Sequence, residues 1–95
     1  MQGDERLRKL RDEIDIIDAK IMLLLHERFA AAKSIGEIKR QLGLEILQQD
    51  RELEVIKRVG KSAVAAGING DFAEKLFSGI MAESGNMQKR KNVQK

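Results

Sequence analysis

Along the first forty residues, apolar side chains return at steps of three and four: Leu7, Leu10, Ile14, Ile17, Ile21, Leu24, Leu25, Ala32, Ile35, Ile38 and Leu42. That spacing predicts one long amphipathic helix over about residues 4–42, with no proline and Gly36 as its only glycine. Gly43 is a natural stop, residues 45–49 make a short connection, and Asp50 with Glu52 puts acidic groups around the start of a second helix over about 49–66. Gly67 ends that helix. Asn69, Gly70 and Asp71 read as a turn and cap, with Asp71 and Glu74 spaced like a capping pair. A third helix over about 71–90 then carries Phe72, Leu76, Phe77, Ile80, Met81 and Ser84. No repeat and no strand candidate interrupts this pattern, so the expected fold is all-α, one domain over residues 1–95 with three helices and a basic tail at 89–95.

The length of the first helix decides the expected architecture. From Asp4 to Leu42 it runs about 58 Å at ~1.5 Å per residue, whereas a compact domain of this size has a radius of gyration near ~13 Å. Two shorter helices cannot cover the whole stripe. A second copy packed antiparallel can, so the sequence predicts an obligate, intertwined homodimer.

Composition narrows the function classes. The 95 residues are 42% hydrophobic and 35% charged, enough apolar matter to fold and too much for disorder. The absence of cysteine excludes disulfides, thiolate chemistry and cysteine zinc sites. The absence of Trp and Tyr, with only three Phe, removes the stacking platforms of single-strand nucleic-acid binders. The net charge of +3 is carried by the end of the chain, where Lys89, Arg90, Lys91 and Lys95 stand without an acid. Setting those four aside leaves 14 basic against 15 acidic groups, a balanced body that argues against nucleic acid as a partner. No apolar run approaches the roughly 20 residues of a membrane span and no signal-peptide stretch is present, so a cytoplasmic location and no membrane partner are expected.

Chemistry is suggested by polar residues on faces that ought to be apolar. Arg28 and Lys39 are eleven positions apart, only about 20° out of phase and roughly 16 Å apart along the axis, so two cationic arms rise from one face. Gln48, Arg51 and Glu52 share a face of the second helix at i, i+3 and i+4. Ser84 and Gln88 continue the row of Phe77, Ile80 and Met81 with a hydroxyl and an amide. His26 lacks the second histidine or paired acids of a metal site, so no metal ligand set is expected, and Met22, Met81 and Met87 read as core filling.

Taken together, Leu10, Arg11, Ile14, Asp18, Leu24, Glu27, Arg28, Gly36, Lys39, Asp50, Arg51, Glu52, Leu76, Phe77, Ile80, Ser84 and Gln88 make nearly the whole chain resemble the all-helical class of chorismate mutase. The resemblance implies a dimer of three-helix chains whose buried pockets convert the dianion chorismate to prephenate, in the pathway to Phe and Tyr, without metal or cofactor. It implies that Arg28 binds one substrate carboxylate and that Arg11, from the partner chain, binds the other. Lys39 and Gln88 would bond the ether oxygen, Glu52 would hold the ring hydroxyl, and Arg51 and Ser84 would complete the wall. Where family members often place an acid beside that hydroxyl, this chain has Gln48, an uncharged contact that bears on affinity rather than reaction type. Geometry supports the trans placement that the resemblance implies for Arg11: Arg11 and Arg28 are about 25 Å apart along one helix and ~100° apart around it, too far to grip one small dianion from one chain. Alternatives are an isochorismate pyruvate lyase on the same fold, a non-enzymatic helical dimerisation module, and a basic nucleic-acid-binding protein. The length leaves no room for an effector-sensing domain, so unregulated catalysis is expected.

Overall fold

The computed structural model describes residues 2–89, which form three helices: α1 (Gln2–Leu42), α2 (Gln49–Ala65) and α3 (Gly70–Lys89). Among the described residues there is no strand, and the all-α reading holds. Of the expected third helix and basic tail, Arg90 to Lys95 lie outside the described residues.

Local chemistry explains the breaks. Gly43 and Gly67 have φ of 73° and 79°, the left-handed region that a Cβ disfavours. At the end of α1 the amides of Leu44 and Gly43 bond the carbonyls of Lys39 and Arg40; at the end of α2 those of Ile68 and Gly67 bond Ala63 and Val64. Both are Schellman closures, in which the reversed glycine turns the next amides back onto carbonyls that the helix leaves unpaired. The start of α3 differs from the sequence expectation. Its cap is Asn69, whose Oδ1 accepts the Phe72 amide at 2.8 Å, so Asp71 already sits in the first turn. Glu74, expected as its capping partner, instead lies over Gly60 of α2.

The helices form a single layer. α3 packs against both α1 and α2, and the chain measures 62 × 37 × 14 Å. The smallest extent is close to the ~10–12 Å diameter of one helix with its side chains. A radius of gyration of 17.7 Å exceeds the ~13 Å of a globular chain of this length. The buried hydrophobic residues, Ala32, Val55, Ala63 and Ala73, are small or medium and lie where helices cross.

Most of the expected core is uncovered in the single chain. Leu7, Leu10, Ile14, Ile17, Ile21 and Leu24 are all about half exposed or more, with Leu24 at 62%, and Met22, expected to fill a core, is at 65%. Ile16 and Leu23 are exposed too. They stand about 20° apart on a face nearly opposite that of Ile14 and Ile21. The apolar surface of this half of α1 is therefore wider than the single stripe expected, a pattern of helices enclosed from more than one side.

Candidate active site

Three helices frame one cleft of about 530 Å³, within the range usual for small-molecule sites. The lining includes Arg28 and Lys39 from α1, Gln48, Arg51 and Glu52 from the start of α2, and Ser84 and Gln88 from α3. Every candidate site residue expected from sequence lines it except Arg11, which is exposed on the uncovered half of α1.

Arg28 is half-buried, and α3 holds it in place. Its Nη1 donates to Ser84 Oγ at 2.6 Å, while that hydroxyl donates to the Ile80 carbonyl at 2.9 Å. Ser84 is the one buried polar residue among those described, 6% exposed, and this pairing leaves its oxygen satisfied. The guanidinium carbon also stands 5.8 Å from the centre of the Phe77 ring, within cation–π range. Ring and hydroxyl together fix the arm while leaving guanidinium N–H groups to receive a carboxylate.

Lys39 anchors the other end. Its Nζ donates to the Ile46 carbonyl at 2.7 Å and to Gln88 Oε1 at 2.8 Å. The Leu44 amide bonds the Lys39 carbonyl, so the connection between α1 and α2 folds back on both the backbone and the side chain of this residue. With Oε1 of Gln88 taken by the ammonium, its Nε2 hydrogens are the donors it can offer to a guest. Gln48 occupies the position before α2 but makes no side-chain cap bond, which leaves its amide to the cleft.

The cleft is strongly cationic. Arg58, not singled out from sequence, joins Arg28, Lys39 and Arg51 in the lining, against Glu52 as the acid. Burial lowers the Arg28 pKa from its ordinary value, and repulsion from Arg51 and Arg58 lowers it further. An empty cleft therefore holds cations that repel one another, a condition relieved by an anionic guest. Arg51 turns toward Glu54 in an exposed ion pair at 2.8 Å. A signal for Arg58 existed in its spacing, seven residues after Arg51 and hence on the same face, but nothing in the sequence alone distinguished it from other surface arginines.

The family model for chorismate mutase type II matches residues 10–89. The chain belongs to the chorismate mutase type II family. A chorismate mutase of Methanocaldococcus jannaschii is 34% identical over 86 residues, covering 90% of this chain and 87% of that protein. The T-protein of Haemophilus influenzae is 34% identical over 80 residues, 84% of this chain but 21% of the relative. A bifunctional chorismate mutase/prephenate dehydratase of Aquifex aeolicus is 47% identical over 55 residues, 58% of this chain and 15% of its own length. The chain thus spans about a fifth or less of these two longer relatives. Family membership makes this an isomerase acting in aromatic amino-acid biosynthesis. No described helix is long and apolar enough to cross a membrane.

Proposed function

We propose that the cleft binds chorismate and rearranges it to prephenate, and that each site is completed by Arg11 of a second copy of the chain. The observation that carries this reading is the pairing of Lys39 Nζ with Gln88 Oε1 at 2.8 Å in a cleft that also presents Arg28, fixed by Ser84. Arg28 holds one carboxylate and Arg11 of the partner subunit the other. Glu52 accepts from the ring hydroxyl, with the Gln48 amide beside it, and Arg51 and Ser84 complete the wall. Arg58 adds positive potential that draws in the dianion.

The reaction suits such a site because it is intramolecular. The ether carbon–oxygen bond breaks and a carbon–carbon bond forms within one bound molecule, so no proton carrier or nucleophile is required. Two guanidinium forks select the folded conformer in which the reacting carbons approach, a positioning effect that reaches ~7 kcal/mol or more in favourable cases. As the ether bond stretches ahead of bond formation, negative charge gathers on its oxygen. The Lys39 ammonium and Gln88 amide stabilise that charge more than they stabilise resting substrate, which raises turnover rather than affinity alone.

The second copy is supported by the exposed apolar half of α1 and by the position of Arg11, about 25 Å along the helix from Arg28. Antiparallel pairing of two long helices covers the first and brings the second to a cleft. The test of the reaction is direct: purified chain with chorismate, following loss of substrate and identifying prephenate, with isochorismate in a parallel assay. Prephenate as product is expected. Pyruvate released from isochorismate, with chorismate untouched, would overturn the assignment.

A further inference from the structure

Gly36, Lys39 and Arg40 form one turn of α1, at i, i+3 and i+4, and all three meet Gln88 of α3. Lys39 takes the end of the side chain through Oε1 at 2.8 Å. Arg40 takes the backbone, with Nη1 donating to the Gln88 carbonyl at 2.7 Å. Gly36 takes the approach: a Cβ there would stand 2.6 Å from Gln88 Cα, so only the bare glycine lets the two backbones come this close.

We propose that Arg40 is a positioning residue for the reaction, which with Gly36 pins the Gln88 backbone so that its amide and the Lys39 ammonium stay aimed at one oxygen. The proposal rests on the reading of Gln88 as a donor to the ether oxygen.

Gln88 lies in the last described turn of α3, where its carbonyl accepts from the Arg40 guanidinium. A glutamine side chain has several rotatable bonds, so its amide stays aimed only when the backbone at its root and the amide at its tip are both held. Lys39, itself tied to the Ile46 carbonyl, holds only the tip, through Oε1. The Arg40 guanidinium on the Gln88 carbonyl fixes the root, through a charge-assisted hydrogen bond. Arg40 is itself exposed and is not part of the cleft lining, so its influence on the reaction passes through Gln88. Displacements of about 1 Å in a catalytic group can cost up to ~100-fold in rate, so a modest loosening at the root is expected to be visible in turnover.

The test is a double-mutant cycle on the full chain, with Arg40→Ala and Arg40→Lys each made alone and in a Gln88→Ala background, and kcat and KM measured for chorismate. Arg40→Ala is expected to lower kcat about tenfold while KM changes by less than about twofold. Arg40→Lys, which can still donate to the carbonyl, is expected to recover most of the loss. In the Gln88→Ala background, Arg40→Ala is expected to cost nothing further. An equal penalty in both backgrounds, or a rise in KM with kcat intact, overturns the role of Arg40 while leaving Gln88 as donor. Normal turnover in Gln88→Ala alone overturns the donor reading itself, and this proposal with it.

Discussion

The two halves of α1 share one helix and almost nothing else. Residues 3–24 touch neither other helix closely enough to bury a side chain, and Leu10, Ile14 and Leu24 stand largely open. Residues 25–42 lie along α3, with Ala32 and Gly36 buried at the crossing and Arg28 and Lys39 bonded to Ser84 and Gln88. The packed half therefore builds a cleft within one chain, whereas the open half carries a hydrophobic surface and an arginine with no use for it in the same chain. A helix so apolar on opposite faces is stable in water only when other surfaces enclose it. The contrast is what the proposed second copy accounts for: on that reading the folding unit and the functional unit are both larger than one chain.

The largest effect should come from attacking the open half. Ile14→Asp with Ile21→Asp places charges where the second copy is expected to bury methyl groups, each at a cost of several kcal/mol if enclosed. Sedimentation should show loss of the dimer, and turnover should vanish with it; a fully active monomer would break the contrast. The wild-type melting temperature should correspondingly rise with protein concentration.

Next in size is the packed half. Lys39→Ala removes the ammonium that meets both Ile46 and Gln88 and should lower kcat by about 10³-fold while the dimer persists. Near-normal turnover would show that its charge is not aimed at the reacting atoms. Gln88→Glu should be milder and pH-dependent. Ionised, the new carboxylate accepts from Lys39 and cannot donate; protonated, it can donate to the ether oxygen. Activity should therefore fall as pH rises through the carboxyl pKa and recover toward acid, and an unchanged pH profile would place Gln88 outside the site.

The smallest expected effect concerns Arg58. Its repulsion helps lower the pKa of Arg28, and the sign is that of a base whose charged form is disfavoured in the folded chain. The guanidinium still carries its charge near neutral pH, so the effect appears as cation repulsion in the empty cleft rather than as a pH transition there. Arg58→Ala should raise KM by about fivefold, flatten the salt dependence of kcat/KM and leave kcat nearly unchanged. The empty protein should melt no lower than wild type, because a repulsion has been removed. A fall in kcat matching the rise in KM would give Arg58 a part in the chemistry instead.

Much of this was legible in the residues because periodicity and glycine act locally. The spacing of Leu7 to Leu42 predicts α1, and Gly43 and Gly67 end their helices for a backbone reason that operates residue by residue. Facial arithmetic likewise placed Arg28 with Lys39, and Ser84 with Gln88, on common faces that the structure brings to one cleft. What sequence could not supply was which groups meet across helices. Asn69 and Asp71 are both good caps, and only the register of the turn decides for Asn69. Gly36 reads as a tolerated glycine until Gln88 is seen against it. Arg40 and Arg58 look like any exposed arginine until Arg40 is found on the Gln88 carbonyl and Arg58 in the cleft wall beside Arg28. The second apolar face, Ile16 and Leu23, was hidden by the stronger pattern beside it.

Subunit mixing probes the proposed sharing of the site most directly. Arg11→Ala and Arg28→Ala homodimers should each be nearly inactive, since every site in either lacks one carboxylate clamp. Random re-pairing of equal amounts makes about half the dimers mixed, with one intact site in each, so up to about a quarter of wild-type activity should return. Mixed dimers demonstrated in solution that restore no activity would contradict a site built from two chains.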